Sequence, residues 1–266
     1  MSRLYRKKGL LIVVVLLALL SSCALLGKKD APKGKNIICI VDFSDSKNTQ
    51  QRLHFYMNVI KDTVIPKLGR YDKITVIPLD QASITNSTDI LFNDFSLNDF
   101  EPEIASPIEV DKLTTEKLNQ YKMSVSNEFV QNFQKAIDSR NSSSHETDIF
   151  GALGVVKGKL RSAGGNYIIL FSDMMNWSSA LNMEPQNKNF NNATIDKILQ
   201  SVPNYEMPNT TALVLTAEQV EATPAHFKLV QSFWTKYFEK NKIKLYDYNS
   251  ASLSKLNELL AQQAGK

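Results

Sequence analysis

The chain has 266 residues, with 31 Lys and Arg against 27 Asp and Glu, and two cysteines. Four of the basic residues, Arg3, Arg6, Lys7 and Lys8, fall in the first eight positions, so the remainder balances 27 against 27. A near-neutral body lacks the net basic face that a nucleic-acid binder needs to neutralise phosphates, which argues against nucleic acid as the partner and leaves only a local patch such as Lys28-Lys29.

After that basic start, residues 10–20 are continuously apolar and Ser21-Ser22-Cys23 follows. A basic start, a short apolar core and small residues at its end make a secretory signal over 1–22. The ending Leu20-Ser21-Ser22-Cys23 resembles the bacterial lipobox. That resemblance implies cleavage before Cys23, acylation of Cys23, and a mature chain lipid-anchored in the bacterial cell envelope. Ala24, not Asp, follows Cys23. The inner-membrane retention signal of enterobacterial lipoproteins is therefore absent, which implies the outer membrane, facing the periplasm. The alternative, an uncleaved anchor over 9–26, is barely long enough to span a bilayer and is interrupted by two serines. Residues 23–35 hold Gly, Pro and four lysines and suit a flexible tether. With Cys23 lipidated, Cys39 is left without an intrachain partner. It stands between Ile38 and Ile40, where it reads as a small buried hydrophobe rather than a catalytic thiol.

Roughly 230 residues remain, enough for one sizeable core, and 36–266 reads as one domain. An apolar strand is predicted over 36–42. A helix follows over 49–68, with Leu53, Tyr56, Met57, Ile60 and Val64 on one face, and then an alternating strand over 73–79. A long helix is predicted over 113–139, another over 148–162, and strands over 166–171 and 211–216. A helix over 226–241, a strand over 242–248 and a helix over 252–263 complete the order. Strands alternating with helices predict an α/β fold: a doubly wound, mostly parallel sheet with helices on both faces. Residues 81–110 and 176–208 break the alternation. Both are polar, Asn-rich and long for loops, and read as insertions.

The chemistry sits at strand ends. Asp42-Phe43-Ser44-Asp45-Ser46 follows the first apolar run, and Ser172-Asp173 follows the run 167–171. In an open α/β sheet, ligands bind beyond the carboxyl ends of the strands. Carboxylate and hydroxyl oxygens are hard ligands that suit Mg²⁺, Mn²⁺ or Ca²⁺. Thr147-Asp148-Ile149-Phe150-Gly151-Ala152-Leu153 opens a helix, with Thr147 as the expected N-cap. Taken singly, each of these residues could cap a turn or helix. Taken together and in this order, the three segments resemble the von Willebrand factor A domain and its metal-ion-dependent adhesion site. The resemblance covers nearly all of the chain beyond the tether. It implies a metal held by Asp42, Ser44, Ser46, Thr147 and Asp173, with Mg²⁺ foremost and Mn²⁺ or Ca²⁺ as substitutes. It also implies a protein partner that offers a carboxylate to the metal, and a binding module rather than an enzyme. The chain departs from the family at Met174, where a glycine is common after the aspartate.

Other chemistry is sparse. His54, His145 and His226 show no zinc-type spacing, and there is no Gly-X-Ser-X-Gly or Walker loop. Asp42-Phe43-Ser44 also resembles the nucleophile strand of haloacid-dehalogenase-like phosphatases, but Ser44 stands where that family has a second aspartate. A metal-dependent phosphohydrolase using Asp42, and a metal-independent scaffold binding through 176–208, are the alternatives.

Overall fold

A computed structural model describes residues 33–44, 49–80, 88–98, 100, 107–139, 146–216, 223–250 and 253–262. The signal, Cys23 and Ser46 lie outside these residues, as does His145. Strand β1 (Asn36–Asp42) is buried along its whole length, and β2 (Lys73–Leu79) and β4 (Asn166–Phe171) nearly so or wholly. Continuous apolar runs of this kind occur where both sheet faces are covered. With β3 (Leu91–Asp94), β5 (Thr210–Thr216) and β6 (Ile243–Ser250) they form a six-stranded sheet in the order β3-β2-β1-β4-β5-β6. All neighbours run parallel except β3, which pairs antiparallel to β2 at the edge.

Alternate residues of β1 enter two separate cores, because successive strand side chains point to opposite faces. Ile37, Cys39 and Val41 pack with α1 (Thr49–Val59), α2 (Pro107–Ser139) and α6 (Leu253–Ala261). Ile38 and Ile40 pack with α3 (Ile149–Lys159), α4 (Ile195–Ser201) and α5 (Pro224–Lys240). Helix α1 does not run on as α-helix to residue 68: it widens into a π-turn at Ile60–Val64 and tightens into a 3₁₀ turn at Ile65–Lys67. Pro66, which has no N–H to give, stands in that last turn. Cys39 is free and fully buried, and burial pushes its thiol pKa up.

Two predicted insertions contain structure of their own. The first supplies β3, which is a member of the sheet, and the second supplies α4. Helix α2 also starts at Pro107, six residues earlier than expected. Among the described residues, no helix is long and apolar enough to cross a membrane.

Candidate metal site at the sheet switch point

Connections from β1 lead to β2 on one side, and those from β4 lead to β5 on the other, so the order reverses between β1 and β4. A crevice opens beyond the strand ends at such a point, and ligands bind there. Asp42 ends β1, and Ser172 and Asp173 follow directly on β4. The neighbouring strands bring the two together: Ser172 Oγ donates to Asp42 Oδ2 at 2.7 Å. The other carboxylate oxygen accepts from Ser44 N at 2.9 Å, which folds the chain back over Asp42. Arg52 of α1 donates to the Ser44 carbonyl at 2.6 Å, not to the carboxylate. Asp42 is 1% exposed and has no ion pair among the described residues.

Thr147 is tied to the segment that follows Asp173. It is buried and forms a two-bond bridge with Trp177, N to O at 2.9 Å and O from N at 3.0 Å. The bridge ties the entry to α3 to the loop that leaves Asp173. Asp148, not Thr147, is the N-cap of α3: its side chain accepts from Gly151 N at 3.0 Å. This corrects the expectation that Thr147 caps the helix. The Asp side chain, one residue later, takes the N3 amide, which relieves Thr147 of that role.

Asp173 turns the chain by accepting from Met175 N at 2.9 Å. Met174 has φ 65°, the left-handed region that favours glycine. Methionine thus stands here in a backbone conformation that glycine adopts without strain. Left-handed backbone costs a non-glycine residue about 1–2 kcal/mol. Here the surroundings hold it in place: the Met174 side chain is fully buried, its carbonyl accepts from Trp234 Nε1 at 2.8 Å, and its amide donates to Ser172 Oγ at 2.9 Å.

Sequence patterns missed the residue that organises this loop. Asn176 is buried, accepts from Ile149 N at 2.9 Å, and donates to Leu181 O at 2.6 Å and Ser178 Oγ at 3.1 Å. It satisfies a second orphan amide of α3 and fixes the loop beside Asp173. In an Asn-rich stretch nothing local distinguishes it from its neighbours.

The structure thus places Asp42, Ser44 and Asp173 at the carboxyl ends of the neighbouring strands β1 and β4 and ties Thr147 to Trp177, in the loop that follows Asp173, while Ser46 lies outside the described residues. These groups fit a hard divalent cation. Asp42 is a buried carboxylate without a cationic neighbour, and the remaining donors are neutral hydroxyls or a partly exposed carboxylate. Among the described residues, no cluster of three His, Cys, Asp or Glu forms a metal cage. Asp42 and Asp173 would between them match the charge of a divalent cation, and the hydroxyls would add none.

No family model matches the chain, and no curated protein sequence does. The chain is an α/β protein with a six-stranded, mostly parallel sheet, and two solved structures are similar to it. A von Willebrand factor type A protein from Catenulispora acidiphila is 13% identical with a TM-score of 0.40, over 86% of this chain and 41% of that one. Proximal thread matrix protein 1 from the mussel byssus is 12% identical with a TM-score of 0.37, over 87% of this chain and 47% of that one. The chain therefore spans less than half the length of either. The placement of the site rests on this molecule's own strand order and hydrogen bonds.

Proposed function

We propose that the chain is a lipid-anchored envelope protein that binds a protein partner through a divalent cation, Mg²⁺ foremost. The observation that carries this reading is the Asp42 carboxylate, 1% exposed, unpaired with any described cation, and set at the switch point among hydroxyls. Burying a carboxylate without a counter-charge is costly, and a bound cation removes that cost. Asp42, Ser44, Thr147 and Asp173 would hold the cation, with Ser46 as the fifth member of the set. A cation so held supplies an open coordination position to a carboxylate of the partner. The near-neutral body and the lipobox-like end of the signal support an extracytoplasmic protein partner, and Cys23 would carry the anchor.

The phosphohydrolase alternative is weaker. Asp42 accepts a hydrogen bond on each carboxylate oxygen and is nearly inaccessible, which ill suits a nucleophile that must attack phosphorus in line. The test is capture from envelope extract on the full chain in detergent. Partner capture in Mg²⁺ should be released by EDTA and lost in Asp173→Ala. Capture that survives both would move the function to the loop over 176–208.

A further inference from the structure

An aspartate side chain turns about two torsions, and the second, which sets the plane of the carboxylate, is soft. That plane decides which lone pairs a metal or its water meets. At Asp42 it is held from both sides: Oδ1 accepts from Ser44 N at 2.9 Å, and Oδ2 accepts from Ser172 Oγ at 2.7 Å. The first bond comes from the backbone. The second comes from a single hydroxyl just past the end of β4, on a residue that is 0% exposed.

The partners settle the direction of that bond. Ser172 Oγ also lies 2.9 Å from Met174 N, which can only donate, so the hydroxyl oxygen accepts there. A carboxylate can only accept, so the one hydroxyl proton goes to Asp42. Met174 is itself anchored, since its carbonyl accepts from Trp234 Nε1 of α5 at 2.8 Å. Ser172 thus ties Asp42 of β1 to the left-handed turn at Met174, and Asp173 closes the same turn by accepting from Met175 N. One hydroxyl fixes the plane of the first carboxylate and the backbone that carries the second. We propose that Ser172 is the positioning residue of the site, setting the Asp42 carboxylate relative to Asp173 in the orientation that takes the cation. This inference rests on the metal-site reading above and adds to it a residue that acts through Asp42. Hydrogen bonds that orient metal-binding groups are typically worth about 10–100-fold in affinity.

The test uses Ser172→Ala, which removes the hydroxyl, and Ser172→Thr, which keeps it, in the full chain in detergent. Asn166→Ala serves as a destabilised control at the other end of the sheet. Mn²⁺ is titrated and the free ion is counted by electron paramagnetic resonance, while the spectrum of the bound ion reports the symmetry of its coordination. Ser172→Ala should bind Mn²⁺ about tenfold more weakly than wild type, with an altered bound-ion spectrum. Ser172→Thr should restore both, and Asn166→Ala should leave both unchanged while unfolding at a lower temperature. Wild-type affinity and spectrum in Ser172→Ala would overturn the proposal and leave the metal reading standing. An equal loss of affinity in Asn166→Ala would also overturn it, because stability alone would then account for the effect. No Mn²⁺ binding by wild type would overturn both the metal reading and this inference.

Discussion

The two ends of the sheet handle their polar groups in opposite ways. At the amino end, Asn36 Nδ2 donates to Asn166 Oδ1 at 2.8 Å and to Lys159 O at 3.0 Å. Asn166 exchanges two bonds with the backbone of Arg161, whose guanidinium reaches Asp94 of β3 at 2.8 Å. Lys159 pairs with Asp89 at 2.8 Å, and Asp72 accepts from the backbone of Lys35 at 2.6 Å and of Gly69 at 2.8 Å. Only Asn36 Oδ1 and Asp89 Oδ1 go without a partner in this network. At the carboxyl end, the buried Asp42 carboxylate has no cation beside it among the described residues, the buried hydroxyls of Thr216 and Tyr248 have no partner among them, and Met174 is held in the left-handed conformation that favours glycine. One end is closed by bonds within the chain and serves stability. The other holds the groups that we propose as the binding site, and binding sites are commonly kept at a cost to the fold.

Substitutions can break that contrast, and the largest effect belongs at the closed end. A Cβ on Gly34 would lie 1.7 Å from the Tyr71 carbonyl, so Gly34→Ala must displace backbone. It should cost more than about 3 kcal/mol in urea unfolding, with metal affinity of the folded fraction unchanged. Asp42→Asn should act the other way round. In EDTA its stability should equal or exceed wild type, because an uncompensated buried charge is gone. The gain of about 2.7 kcal/mol that wild type draws from metal at a hundred times its Kd should vanish, as read by calorimetric unfolding. Asn166→Ala strips partners from Asn36 and from the Arg161 backbone, and should cost about 2 kcal/mol whether metal is present or not. The smallest effect concerns Met174. Both Met174→Ala and Met174→Gly lose the buried side chain, but glycine should be the more stable of the two by about 1 kcal/mol, since it alone suits φ 65°.

Much of the closed architecture is legible in the sequence. β1, β2 and β4 read directly as apolar runs because both their faces are covered, and their ends fall where the runs end. β3 does not read, for a physical reason. It is four residues long, sits at the edge and exposes Phe92 at 52%, so no alternation or run marks it. The open end is half legible. Asp42, Ser44 and Asp173 stand out by spacing from strand ends, and Thr147 by its place before a helix. Asn176 and Trp234 act through contacts distant in the chain, which no local pattern encodes.

The central claim is that the open end takes a divalent cation, and isothermal titration of Mg²⁺ and Mn²⁺ into the full chain in detergent tests it most directly, with Asp42→Asn alongside. The account predicts a single site in wild type that is absent in the variant. Equal binding by both proteins, or heat from neither ion in wild type, would contradict it.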